Sequence, residues 1–262
     1  MPEDQSSAPN PARTVIDDEQ LKRMMKQSQR GFLQRNRFRM VTLCLIALNV
    51  AVFAVEAVLS GFRVSISTRV LVEMGAMYAP LVQSAADLYR FVTPMFLHMD
   101  LMHLGFNMVA LYSVGEVLER VLGKANYLAL YFVGGITGNA VSYAADVFLG
   151  GGATVSAGAS TSVFGLFVAV ALLGFLHKGN RSMFAQYSKG MLGIIAVNVA
   201  YTFLVPGISV SGHLGGALGG LVAMLMLPSK NLRVPNAVRV AVAVLWVCAL
   251  GYLLVSRGLL AL

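Results

Sequence analysis

Long apolar runs separated by short polar stretches dominate this chain. Seven of them approach the roughly 20 residues that a helix needs to cross a bilayer core: Val41–Leu59, Leu101–Leu122, Ala125–Leu149, Ser160–Leu176, Met191–Pro206, Gly212–Leu227 and Ala237–Val255. The runs are continuous and do not alternate, which argues against a transmembrane barrel. In lipid each segment must satisfy its own backbone polar groups, so the runs predict helices. The expected fold is all-α, a polytopic transmembrane helical bundle. It divides into a basic tail over residues 1–40, a six-span core over 41–227, and a linker with a seventh helix over 228–262. Composition agrees: 57% hydrophobic, 12% charged and a mean hydropathy of +0.71 exclude an ordinary soluble domain.

Charge adds an orientation. Arg13, Lys22, Arg23, Lys26, Arg30, Arg35, Arg37 and Arg39 precede the first span, which places the N-terminus in the cytoplasm. Alternation then puts Arg120 and Lys124, then Lys178, Arg181 and Lys189, then Lys230, Arg233 and Arg239 on the same side. The loops between spans three and four and between five and six carry no Lys or Arg. Only the long first loop departs, with Arg63, Arg69 and Arg90. Seven spans leave the C-terminus outside. The net charge of +8 is therefore topological, since its residues are dispersed over loops and form no face for nucleic acid. Tail residues 1–35 are expected to be mostly disordered or peripheral, in contact with anionic lipid headgroups. No secretory signal precedes the first run, which is long enough to stay as an anchor. Cys44 and Cys248 lie inside apolar spans and are expected to be packing residues, with no disulfide framework and no metal spacing. No cofactor is expected.

With that topology, three inward-running spans carry unusual polar residues at their outer ends. Span two has His98, His103 and Asn107, span four has Ser160, and span six has His213. Ionisable and hydroxyl groups at such depth are expensive and ask for a functional reason. A serine hydroxyl becomes a nucleophile when an imidazole takes its proton, so Ser160 and His213 form a candidate pair. Span six supplies the close approach this needs, with Gly212, Gly216 and Gly220 in one row and Gly215 and Gly219 in another. Such rows are usually packing motifs, and both roles are compatible here. His103 and Asn107, four apart, share a helix face and suit an oxyanion hole, to which the Ser160 amide at a helix start would add. Taken alone, each of these residues is more often an interhelical hydrogen bond than a catalyst.

Together the motifs resemble the rhomboid family of intramembrane serine proteases. They are Gly158-x-Ser160-x-x-x-Phe164-Gly165, His98-x4-His103-x3-Asn107, and Gly212-His213-Leu214-Gly215-Gly216, with Tyr89-Arg90 in the first loop and Glu119-Arg120 after span two. The resemblance covers about Leu43 to Leu227 and implies a six-helix rhomboid-like core plus one C-terminal helix. It implies Ser160 as nucleophile, His213 as general base, and His103, Asn107 and the Ser160 amide around the oxyanion. Gly158 would let the backbone pass close to the serine, Phe164 would pack on the histidine ring, and His98 would fix the loop before span two. Glu119, Arg120 and Arg90 would be structural.

One position departs from the pattern: Thr161 stands where relatives often have glycine, and its β-branched side chain narrows the space beside Ser160. The resemblance also implies single-span membrane proteins as substrates, cut near the outer membrane face, and the long basic tail fits a bacterial inner membrane. Thr154, Ser156, Ser209 and Ser211 either line a polar cavity or are ordinary turn residues. Two rival readings remain. One is a catalytically inactive rhomboid-like protein that binds membrane clients. The other is a transporter or channel, against which stand the lack of an internal repeat and the clustering of polar groups toward one face.

Overall fold

The computed structural model describes residues 17, 19–20, 22, 36–150, 154–179, 181–190, 192–204 and 208–260. It divides into the units Met1–Arg37 and Phe38–Leu262. Most of the expected basic tail lies outside the described residues, as do Met191, Pro206 and the tip of the loop before Ser160.

The second unit is helical, and among its described residues only isolated β-bridges occur. We number the helices α1 (Met40–Leu59), α2 (Thr68–Glu73), α3 (Leu101–Leu122), α4 (Lys124–Phe148), α5 (Ser160–Leu176), α6 (Arg181–Gly190), α7 (Leu192–Leu204), α8 (Val210–Met226) and α9 (Asn236–Ser256). Four of them, α1, α3, α4 and α9, are long and apolar enough to cross a membrane, while α5 and α8 are shorter apolar helices. The apolar runs predicted these positions to within about two residues. Two features were not visible in that pattern. The first loop is folded, with α2 and three 3-10 turns at Ala79–Leu81, Ala85–Phe91 and Thr93–Phe96. The polar stretch before α7 forms the amphipathic α6, which buries Phe184 and hands the Ser188 hydroxyl to the Val170 carbonyl.

Local signals start and stop these helices. Asp100 caps α3 by accepting from the His103 N–H at 2.8 Å, and Ser209 caps α8 by accepting from Gly212 N–H at 3.0 Å. Gly123, at φ +81°, turns α3 directly into α4.

The centre of the bundle is the crossing of α4, α5 and α8, where glycine rows set the spacing. A Cβ on Gly216 would lie 2.0 Å from the Thr161 carbonyl oxygen, and one on Gly220 would lie 2.2 Å from that of Gly165. The second row faces α4: a Cβ on Gly219 would sit 2.8 Å from the Val133 carbonyl oxygen. The two rows therefore serve two different neighbours, with no room for a β-carbon at Gly216 and Gly220 toward α5 or at Gly215 and Gly219 toward α4. Without a hydrophobic driving force between helices in lipid, such close backbone contact is what holds them.

α1 is fastened at both ends by buried carboxylates from unlike directions. At its start, Glu119 of α3 accepts from Val41 N–H, Thr42 N–H and the Thr42 hydroxyl, each within 3.2 Å. These are donors that the first turn of a helix leaves without intrahelical partners. Near its end, its own Glu56 accepts the His98 N–H at 3.2 Å. Arg120 pairs with Glu116 and lies over the Phe38 ring. In the first loop Arg90 is buried and donates to the Val72 and Ala76 carbonyls at 3.0 and 2.9 Å. One expectation is corrected: Cys44 and Cys248 are exposed, because α1 and α9 are peripheral helices with most of their surface turned outward.

Replacing Glu119 with Ala orphans three donors at the start of α1. The variant is expected to lose about 2 kcal/mol of stability, read as a lower unfolding midpoint in detergent. An unchanged midpoint would show that the carboxylate does not hold α1.

Candidate active site

The sharp entry into α5 fixes the position of Ser160. Gly158 has φ +143°, a backbone that side-chain-bearing residues rarely adopt, and its N–H is anchored on the Pro94 carbonyl at 2.8 Å. A Cβ there would lie 2.7 Å from the His103 ring and 3.2 Å from Ser160 Oγ. The next turn begins the helix, so Ser160 stands at its first position with its N–H at the positive end.

Close packing of α8 brings His213 to it. Ser160 Oγ and His213 Nε2 are 2.7 Å apart, and both histidine faces of the problem, orientation and tautomer, have visible solutions. Phe164, one turn along α5, stacks on the imidazole with centroids 4.2 Å apart and planes 13° apart. Thr202 of α7 places its Oγ1 2.7 Å from His213 Nδ1. The Thr202 hydroxyl has one proton, and it donates that proton to the Asn198 carbonyl at 2.8 Å. It can then only accept from the ring, so Nδ1 carries the hydrogen and Nε2 is free to accept from Ser160.

On the third side, α3 contributes His103 and Asn107. His103 lines the same small cavity as Ser160 and His213, together with Asn139, Ser156, Gly158, Thr161 and Ser209. Asn107 is buried one turn deeper and is not in that lining. Its Nδ2 donates to the His103 carbonyl at 3.0 Å, which leaves one amide hydrogen for another acceptor. The His98 ring meets His103 edge-on at 5.3 Å, and burial, with His103 beside it, holds the His98 imidazole well below its ordinary pKa. His98 is thus a neutral packing group whose backbone N–H is tied to Glu56. The cavity has a volume of only about 10 Å³, scarcely one water.

Thr161 lines this cavity beside Ser160, and its side chain lies against Gly138 of α4 and Gly212 of α8. Of the four loop hydroxyls, Ser156 and Ser209 reach the cavity lining, whereas Thr154 and Ser211 do not. Three residues escaped the reading of the sequence. Asn139 donates to the Phe91 carbonyl at 2.9 Å, binding the first loop to α4. Thr202 and Glu56 are the others, and a signal for each existed: a lone carboxylate in span one, and an Asn198/Thr202 pair four apart in span five.

Substituting Gly158 by Ala forces the His103 ring aside and strains the backbone. It is expected to destabilise the folded protein by about 2 kcal/mol in thermal unfolding, well beyond the same change at exposed Gly105.

Comparison with known proteins agrees with this architecture. A family model described as the rhomboid domain matches residues 85–230. The chain is 34% identical over 187 residues to the rhomboid protease GluP of Bacillus subtilis (strain 168), covering 71% of this chain and 34% of that protein. It is 33% identical over 145 residues to the putative rhomboid protease YdcA of the same organism, covering 55% of this chain and 70% of that one. With the rhomboid protease AarA of Providencia stuartii it shares 28% identity over 221 residues, 75% and 76% of the two chains. The chain thus spans about a third of the length of GluP and most of the other two. The match over more than half of its length, on a bundle of apolar helices, makes this chain an integral membrane protein of the rhomboid family.

Proposed function

We propose that the chain is an intramembrane serine protease working through a Ser160–His213 dyad. The observation that carries this reading is the 2.7 Å contact between Ser160 Oγ and an imidazole whose tautomer is set from its far side by Thr202. His213 Nε2 takes the hydroxyl proton as Oγ attacks a peptide carbonyl. The negative oxygen that forms is met by the Ser160 N–H at the start of α5, by His103 and by the remaining Asn107 hydrogen. Protonated His213 then passes its proton to the departing amine, leaving an acyl-serine. Water, activated by the same nitrogen, releases the acid and restores the hydroxyl. Phe164 keeps the ring in plane through these transfers, in place of a buried acid.

The substrates we infer are single-span membrane proteins cut near the outer membrane face. A helical peptide bond is shielded by its own hydrogen bonds, so the substrate must unwind locally before it meets Ser160. The narrow cavity requires the protein to open as well. Charge supports an N-terminus in the cytoplasm, a C-terminus outside and a bacterial inner membrane as the location.

Purified protein in detergent is expected to cleave a model single-span substrate, and Ser160→Ala and His213→Ala are each expected to reduce the rate at least about a thousandfold. A folded wild type that binds such substrates without cutting any of them would instead establish the client-binding reading. Thr202→Val should lower kcat roughly tenfold with little change in KM, and Thr202→Ser should restore it. Equal kcat in the valine variant would remove Thr202 from the mechanism.

A further inference from the structure

Beyond Asp146 the chain contains no Asp or Glu, yet it carries Lys178, Arg181, Lys189, Lys230, Arg233, Arg239 and Arg257. Four of these cations, Lys178, Lys230, Arg233 and Arg239, line one open cavity of about 680 Å³ at the end of the bundle opposite Ser160. Its walls come from Lys178 two residues beyond α5, the α8–α9 linker and the first turn of α9. Among the described residues none of the four cations is paired with a carboxylate. The carboxylates nearest in the fold to that end, Glu116 and Glu119, are occupied by Arg39 and Arg120 and by the start of α1.

The linker is built, not loose. The Arg233 N–H donates to the Leu176 carbonyl, its guanidinium donates to the Lys178 carbonyl, and Asn231 donates to the Val121 carbonyl. Arg239 is committed to the carbonyls of Leu227, Ser229 and Val234 and so shapes the wall. Lys178, Lys230 and Arg233 are exposed, and among the described residues neither lysine ammonium is engaged in an ion pair.

One turn further along α9 a second feature begins. Val242, Leu245, Trp246, Ala249, Leu250 and Leu253 follow Arg239 at helical spacing and line an apolar groove of about 480 Å³ against α4 and α8. Trp246 closes its floor by donating to the Thr137 hydroxyl at 2.9 Å. A cationic pocket without acids therefore heads an apolar groove on the membrane-facing side of the same helix. Basic pockets between helices at a membrane interface take anionic lipid headgroups, and hydrocarbon fits the groove.

We propose that this pocket and groove together bind one anionic phospholipid, with its phosphate-bearing headgroup among Lys178, Lys230 and Arg233 and an acyl chain along α9. The lipid would fasten α9, which buries no residue of its own, to the α4–α8 face. The proposal rests on the membrane assignment and not on catalysis.

Trp246 is the chain's single tryptophan, so it reports the groove directly. The full chain would be reconstituted in phosphatidylcholine bilayers containing a small fraction of lipid brominated on its acyl chains, which quenches nearby indole. Brominated phosphatidylglycerol is expected to quench Trp246 more strongly than brominated phosphatidylcholine at equal fraction. In the triple variant Lys178→Gln, Lys230→Gln, Arg233→Gln that preference should fall on the order of tenfold or more. The positions are exposed, and circular dichroism would verify that the variant is folded. Equal quenching by the two lipids in the wild type overturns the proposal, as does a preference that survives the triple change. Inorganic phosphate at matched ionic strength separates the remaining source. If it abolishes the preference where chloride does not, the pocket is a free-anion site and the lipid assignment is wrong; if the two salts act alike, the lipid stands.

Discussion

Backbone contact between α8 and α5 is the constraint from which the rest follows. Gly216 and Gly220 bring α8 so near that no β-carbon would fit, and only at that separation does His213 come within hydrogen-bond reach of Ser160. In a soluble enzyme, buried apolar side chains set such distances and can repack around an error. Here lipid offers helices no comparable drive to associate, so small residues and direct van der Waals contact must hold the geometry. Packing and chemistry are therefore the same feature. A methyl group on the glycine row would part the two helices and, with them, the serine and the histidine.

A second design element surrounds the first. Two buried carboxylates act on α1, but neither does so as an ion-pair partner. Glu119 collects the orphan donors at one end of the helix, and Glu56 takes an N–H from the loop that leads into His103. The peripheral helix thereby stiffens the approach to α3. Arg90 does the same from the first loop by collecting carbonyls from two turns, and Asn139 ties that loop to α4. These are polar bonds spent on backbone groups, the atoms least able to go without partners in a membrane.

The hydrophobic runs made the long helices legible because length and continuity suffice there, and the glycine spacing foretold which face of α8 would pack. The candidate residues on α3, α5 and α8 were legible because polar side chains in apolar runs are conspicuous. Thr202 went unread although it stands four residues from Asn198, since such a pair is ordinary in a helix until the threonine hydroxyl is seen with its proton committed to the Asn198 carbonyl. The first loop and α6 were equally hidden. Their order comes from contacts distant in sequence, such as Arg90 with Val72, and amphipathic spacing over so few residues carries little signal. The exposed positions of Cys44 and Cys248 follow from the same limit: an apolar residue in a membrane helix faces protein or lipid with equal ease, and periodicity alone cannot choose.

Helix lengths carry a consequence for how deep Ser160 stands. α4 has 25 residues and α3 has 22, while α5 and α8 have 17 each. At the basic end these helices are tied level, through Asn126 to the Pro228 carbonyl and Asn231 to that of Val121. The shortfall therefore appears at the opposite end, where α4 outruns α5 by about 12 Å. α4 rises past the shorter helices on one side, since Asn139 lines the same cavity as Ser160 and His213 while α4 continues to Phe148; α3 does not, because His103 in its first turn already lies at that level. Two helices that stop early thus set their first turns, and Ser160 and His213 with them, below the end of a longer neighbour.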